Sequence, residues 1–154
     1  MTVRRLVVAL IAVAGLAVGA SAGPHGIDGP VRWRTDAFEA VSESRSTGKP
    51  IVVMFTAEWC GFCKKMLRET YRDESVARHV ADCFVPLIID ADEHAELIKD
   101  LGVTAFPTTL IFSPEGDLVS HVRGFKNAEA LRAELGQSCP HEEQVADADI
   151  PVLR

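Results

Sequence analysis

The chain is short of the residues from which a metal centre or a nucleic-acid surface is built. Besides Cys60 and Cys63 it has only Cys83 and Cys139, and it contains no second CxxC pair and no HxxxH pair. Structural zinc takes four ligands, ordinarily from two such pairs, so no metal site is assigned and no cofactor is expected. The five histidines form no ligand pattern: His25 and His141 lie near the ends, and His79, His94 and His121 read as surface residues. Basic charge is also scarce, with 16 Lys and Arg against 22 Asp and Glu and a net charge of -6. An acidic domain repels phosphate backbones, which argues against a nucleic-acid partner. The longest apolar stretch, residues 6–20, is shorter than the ~20 residues a membrane-spanning helix needs, and no cysteine follows it closely to carry a lipid. Internal repeats and low-complexity segments are absent.

What stands at the N-terminus has the form of an export signal. Arg4 and Arg5 precede the apolar stretch, and Ala20-Ser21-Ala22 supplies small residues for cleavage. Cleavage is expected after Ala22, the alternative being an uncleaved N-terminal anchor. Losing residues 1–22 lowers the basic count from 16 to 14 against 22 acidic residues, so the mature chain carries about -8 with neutral histidines. The remaining length fits one domain. Export, periplasmic or otherwise, would place its cysteines where thiols pair unless they are actively kept reduced.

The hydropathy pattern alternates strands and helices. Residues 23–32 open with Gly and Pro and read as a flexible lead-in, with a short edge strand expected at 31–33. Thr35 or Asp36 can cap a helix carrying Phe38, Ala40 and Val41 and ending near Gly48. Residues 51–56 form a continuous apolar, β-branched run, the mark of a strand buried on both faces. A helix is expected from Cys60 to about Thr70, with Met66 and Leu67 as apolar contacts, and a further helical segment at 75–80. Residues 84–89 read as a second buried strand, and 93–101 as a helix stopped by Gly102. Residues 108–112 and 118–122 flank the turn signal at 113–117 and predict an antiparallel hairpin. Asn127 caps a last helix with Ala130, Leu131 and Leu135, ending at Gly136, and the acidic residues 140–154 are expected to be disordered.

The most informative feature is Trp59-Cys60-Gly61-Phe62-Cys63, placed directly after the first buried strand. Two cysteines at this spacing close a small disulfide if a helix begins at the first. The free N–H groups and dipole of that helix start stabilise a thiolate there. A purely structural role fits poorly, because a four-residue span closes almost no chain loop.

Three segments together carry a family resemblance: residues 57–64 (Ala-Glu-Trp-Cys-Gly-Phe-Cys-Lys), residues 102–108 (Gly-Val-Thr-Ala-Phe-Pro-Thr), and the hairpin containing Gly116 and followed by Gly124. Over roughly residues 33–136 the chain resembles the thioredoxin superfamily, for which CxxC after a strand is the redox motif. Within it, residues 71–76 (Tyr-Arg-Asp-Glu-Ser-Val) and 84–90 (Phe-Val-Pro-Leu-Ile-Ile-Asp) are most similar to secreted proteins related to the C-terminal domain of the DsbD thiol:disulfide interchange family. The resemblance implies a thioredoxin-like α/β domain over 33–139, with a central mixed sheet of four to five strands and helices on both faces. It implies that Cys60 is an exposed nucleophile and Cys63 a buried resolving thiol. It also implies a cis-proline at Pro107 that leaves the Phe106 backbone free to pair with an extended substrate. Trp59 and Phe62 would line an apolar landing surface, ordinary packing being as good a reading for Phe62.

Two positions depart from the family. Its buried aspartate, six residues before the first cysteine, falls on Met54, leaving water or Glu58 to take the resolving thiol's proton. Its helix-kinking proline falls on Arg68. Gly61-Phe62 holds no histidine or other cation to stabilise a thiolate further, which favours a reductant or mid-potential exchanger over a DsbA-like oxidase. The reading is a monomeric thiol:disulfide oxidoreductase acting on protein thiols and disulfides, fed by a membrane electron-donor protein. The alternative is a non-enzymatic binding module or thiol-based metal or haem-assembly chaperone on the same scaffold. In a thioredoxin-like layout Cys83 and Cys139 lie at the end of the sheet away from the CxxC. They would form either a structural disulfide, worth roughly 4 kcal/mol of chain entropy, or two separate thiols with Cys83 buried.

Overall fold

The computed structural model describes residues 27–139; the expected signal segment, the start of the lead-in and the acidic tail lie outside them. Strand β1 (Ile51–Thr56) is buried at every position, because it pairs on both edges and is covered on both faces. It runs parallel to β2 (Val85–Asp90) from Ile51 opposite Val85 to Thr56 opposite Asp90. On its other edge it runs antiparallel to β3 (Thr108–Phe112), which pairs with β4 (Leu118–Arg123), so the order is β2-β1-β3-β4. Successive side chains point to opposite faces. Val52 and Met54 enter one core with Ile88, Ile111, Tyr71, Leu131 and Leu135. Ile51, Val53 and Phe55 enter the other with Ala40, Leu87, Ile89 and Leu110. This is the four-stranded mixed sheet between helical layers that the hydropathy pattern and the resemblance predict.

A parallel pair needs a long crossover, and between β1 and β2 it consists of three helical pieces. Helix α2 (Gly61–Lys65) is followed without a break by a π-helical turn, Met66–Thr70, in which Tyr71 N–H donates to the Met66 carbonyl at 3.0 Å. The expected single α-helix over 60–70 therefore widens half-way, and the turn buries Met66, Leu67 and Thr70. Helix α3 (Glu74–Cys83) starts at Asp73, whose carboxylate accepts from the N–H groups of Ser75 and Val76. These bonds and one from the Ser75 hydroxyl hold the Asp73 carboxyl below its ordinary pKa, the Ser75 side chain contributing most. Helix α4 (Ala95–Asp100) precedes Gly102, and α5 (Ala128–Gly136) is capped by Asn127, which accepts from Ala130 N–H at 2.9 Å. The β3–β4 turn closes through Gly116, at φ +100°, where a side chain would be strained.

Several expectations near the N-terminus change. No strand forms at 31–33. The contact is a single parallel bridge one residue later, with Arg34 N–H donating to Pro86 O and Ile88 N–H to Arg34 O. Alternate N–H groups of β2 face this edge, and Pro86 has none to offer, so the ladder stops after one rung. The described part of the lead-in packs on the domain: Ile27 lies against the core, as does Trp33 just after it, and the Asp28 carbonyl accepts from Arg72 at 2.7 Å. In α1 (Ala37–Thr47), capped by Asp36, the buried positions are Ala40 and Ser44, four residues apart. Phe38 lies off that stripe and is 82% exposed. His79, read as a surface residue, is half-buried, with its Nε2 inside the protein and without a hydrogen-bond partner.

Tyr71, the chain's single tyrosine, sits under this crossover at 2% exposure, edge-on to Trp33, with its hydroxyl 3.4 Å from Thr109 Oγ1. Burial pushes its pKa up from 10.0 to about 12, the Thr109 contact opposing weakly. The unfolded chain therefore loses this proton first. Stability from the neutral phenol is complete below pH 10 and should fall between pH 10 and about 12, by about 2–3 kcal/mol once both values are passed. Absorbance titration should show tyrosinate appearing only near pH 12 or with unfolding. Tyr71→Phe should change stability at pH 7 by under about 1 kcal/mol and remove this alkaline loss. A tyrosinate transition near pH 10 in the folded protein would contradict the assignment.

Candidate active site

The site is built where β1 ends. After Thr56 and the buried Ala57 the chain turns back on itself, with Cys60 N–H donating to Ala57 O at 3.0 Å. Cys60 then takes the N-cap position of α2 in an extended conformation, and its Sγ accepts from Cys63 N–H at 3.1 Å. A sulfur that already receives a backbone N–H at a helix start is a sulfur whose negative charge would be stabilised there. Cys63 lies one turn in, and the two sulfurs are bonded at 2.10 Å. Cys60 is 5% exposed and Cys63 0% exposed. In this bonded form Cys60 is buried rather than freely exposed, with its sulfur turned onto Cys63.

An aromatic rim surrounds the pair. Trp59 and Phe62 are 68% and 63% exposed, unusual for large apolar side chains that flank a buried bond. Phe106 meets Trp59 edge to face at 5.7 Å, and Phe125 meets Phe62 at 6.3 Å with the Lys65 ammonium 4.9 Å above its ring. Trp59 is fixed further by Asp92: the indole N–H donates to Asp92 Oδ1 at 3.1 Å, and Glu58 N–H donates to Oδ2 at 3.3 Å. The Phe106–Pro107 peptide is cis. Pro107 has no N–H, its carbonyl accepts from Gly124 N–H at 2.8 Å, and among the described residues nothing hydrogen-bonds the Phe106 N–H or carbonyl.

Asp92 and Phe125 escape a reading of the sequence. Phe125 follows Gly124, whose φ of +75° redirects the chain after β4, so a residue just past that glycine was the available signal. The π-helical turn contributes too. It places the buried Thr70 so that its hydroxyl donates to the Lys126 carbonyl at 2.6 Å, tying the Phe125 loop to the helix that begins at Cys60. Met54 is fully buried in the same core as Cys63, Met66 and Tyr71, whereas Glu58 is exposed. The second cysteine pair lies elsewhere: Cys83 ends α3, Cys139 follows α5, and their sulfurs are bonded at 2.01 Å.

The family model described as a thioredoxin-like domain matches residues 37–138. The chain belongs to this family. It is 35% identical over 100 residues to the thiol:disulfide interchange protein DsbD of Yersinia enterocolitica, a match that covers 60% of this chain and 17% of that protein. The chain thus spans about a sixth of the length of the DsbD relatives it matches. Among solved structures it superposes on a thioredoxin from Thermus thermophilus with a TM-score of 0.64 at 26% identity, covering 70% of this chain and 86% of that one. The reduced C-terminal domain of Neisseria meningitidis DsbD superposes with a TM-score of 0.58 at 25% identity, covering 66% and 94%. The Cys60–Cys63 bond thus stands at the strand end of a thioredoxin-like domain.

Met54 offers a test of how the buried sulfur loses its proton. Met54→Asp would put a carboxylate into the core that holds Cys63. It should cost at least about 2 kcal/mol, the low end for losing a buried methionine, with more for an unpaired carboxylate whose pKa rises. If proton acceptance limits the resolving step, release of a mixed disulfide at pH 7 should become faster in the folded variant. An unchanged rate, measured by stopped-flow fluorescence in a sample that denaturant titration shows to be folded, would refute that limit.

Proposed function

We propose that this chain is an exported thiol:disulfide oxidoreductase that reduces or exchanges disulfides in proteins. Residues 1–22 would direct export and be removed, residues 33–139 form the working domain, and the acidic residues 140–154 are a tail. The observation that carries the reading is the position of Cys60: an N-cap sulfur that accepts the Cys63 N–H, bonded to Cys63 and ringed by aromatic side chains.

In the reduced protein the Cys60 thiolate attacks one sulfur of a substrate disulfide. A new S–S bond forms to Cys60, the substrate bond breaks, and its second sulfur leaves as a thiolate that takes a proton. Cys63 then loses its proton and attacks Cys60, restoring the bond seen here and releasing the second substrate thiol. Two electrons pass to the substrate. Trp59, Phe62, Phe106 and Phe125 would hold the apolar flanks of an extended substrate, and the unpaired Phe106 backbone offers it strand-like hydrogen bonds.

The absence of a cation at Gly61-Phe62 leaves the helix start as the main support for the thiolate. That fits a reductant or mid-potential exchanger better than a strong oxidant. Such a protein needs a reduced donor in an exported compartment, and a membrane electron-transfer protein with an accessible dithiol would serve. No helix among the described residues is long and apolar enough to cross a membrane. The domain is expected to act as a monomer.

The two cysteines should fail differently. Cys60→Ser should abolish insulin reduction and trap nothing, because the hydroxyl is too weak a nucleophile near neutral pH. Cys63→Ser should accumulate mixed disulfides through Cys60 on non-reducing gels. Iodoacetamide should label Cys60 first in the reduced protein, with an apparent pKa below the free value of about 8.5. Mixed disulfides accumulating in Cys60→Ser instead of Cys63→Ser would reverse the roles.

A further inference from the structure

Far along α3 from the CxxC, one imidazole is out of place. His79 lies four residues before Cys83, so both project from the same face of the helix. Cys139, after α5, closes the group: one ligand atom from each of His79, Cys83 and Cys139 lies within 4.8 Å of the other two. The His79 Nε2 is buried and has no hydrogen-bond partner, the single such side-chain atom among the described residues. A buried polar nitrogen left unpaired costs roughly 1–3 kcal/mol.

We propose that the Cys83–Cys139 disulfide masks a thiophilic metal site, which reduction opens for zinc held by His79, Cys83 and Cys139. The reduction consumes a dithiol. A dithiol thiolate attacks one sulfur of the pair, the Cys83–Cys139 bond breaks, and the mixed disulfide is resolved by the second dithiol sulfur. The dithiol leaves oxidised by two electrons, and Cys83 and Cys139 become thiols. Zinc then displaces their two protons to solvent and takes the lone pair of the neutral imidazole.

The dimensions suit this. The Cα atoms of Cys83 and Cys139 are 5.3 Å apart. Two thiolates on one tetrahedral zinc, at about 2.3 Å each, stand about 3.8 Å from one another. Side-chain rotation can bring the sulfurs from bonding contact to that separation over so short a backbone span. The imidazole nitrogen is already within 4.8 Å of both. Two sulfurs and one nitrogen suit zinc by ligand type and leave a fourth position for water. A cleft of about 220 Å³ lined by Ser75, Arg78, His79, Asp82 and Arg132 lies beside His79. Its two arginines repel a free cation. One of them, Arg78, is paired with Glu74, and the two thiolates outweigh the remaining charge once the bond is open.

The test removes the CxxC as a competing ligand pair. The full chain with Cys60→Ser and Cys63→Ser is reduced with a phosphine, freed of reductant under argon, and titrated with zinc against a chromophoric chelator. One zinc per chain should bind, cobalt should give the absorption of a thiolate-ligated tetrahedral ion, and the oxidised sample should take up neither. Adding His79→Ala should weaken zinc binding by more than the about 10–100-fold that loss of an outer-shell partner costs. Zinc should also raise the Tm of the reduced protein and leave the oxidised protein unchanged, or restore the fold if reduction alone unfolds it. No zinc uptake by the reduced protein, equal uptake after Cys83→Ser and Cys139→Ser, or equal affinity after His79→Ala would each overturn the proposal.

Discussion

Strand β1 has no solvent face and no free edge, and the geometry of the rest follows from that. Its hydrogen bonds are taken by β2 on one side and β3 on the other, and its alternate side chains anchor two separate cores. A segment held on four sides cannot slip by one residue without turning both sets of side chains onto the wrong face. Its last residue is therefore fixed in space, and Cys60 is reached four residues later through a turn closed by one backbone hydrogen bond. A strand able only to bury apolar surface thus determines where a reactive sulfur stands.

From that point the crossover to β2 does two jobs. It returns the chain to a parallel neighbour, and it carries the active-site helix. The π-helical turn serves both. Its extra residue per turn swings Thr70 toward the Lys126 carbonyl, so the loop bearing Phe125 is tied to the helix bearing Cys60 and Cys63. Single π turns inside α-helices are rare and are found often at functional sites, and here the turn couples the helix to one wall of the aromatic rim. On the opposite side, Asp92, in the turn two residues past β2, holds the Trp59 indole and the Glu58 amide. The rim is thus assembled from three separated stretches of chain around one bond.

The parts of this arrangement that depend on local pattern were legible. The run 51–56 reads as a doubly buried strand, 108–112 and its turn as a hairpin, and Asn127 and Asp36, the latter one of two candidates with Thr35, cap helices. What required the assembled structure was set by partners distant in sequence. Phe38 lies in an apolar pattern but off the stripe that faces the sheet. The lead-in's contact moved to Arg34 because Pro86, fifty residues away, lacks an N–H. The widening at Met66–Thr70 has no local signature, since those residues suit an ordinary helix as well. His79 reads as polar surface until α5 and Cys139 are brought over it.

The two disulfides differ in what their rupture does to the chain. Cys60 and Cys63 are three residues apart, so opening that bond returns roughly 2 kcal/mol of freedom to the unfolded chain in the chain-entropy model. Cys83 and Cys139 are 56 residues apart, and their bond restricts the unfolded chain by roughly 4 kcal/mol in the chain-entropy model. It joins the end of α3 to the segment after α5, the two helices that pack together over the core containing Cys63. The longer bond secures the layer against which the shorter one is buried. In the exchange proposed above, a Cys60 thiolate depends on the helix that presents it staying folded, and the Cys83–Cys139 bond, or the zinc proposed to replace it, supplies that anchor.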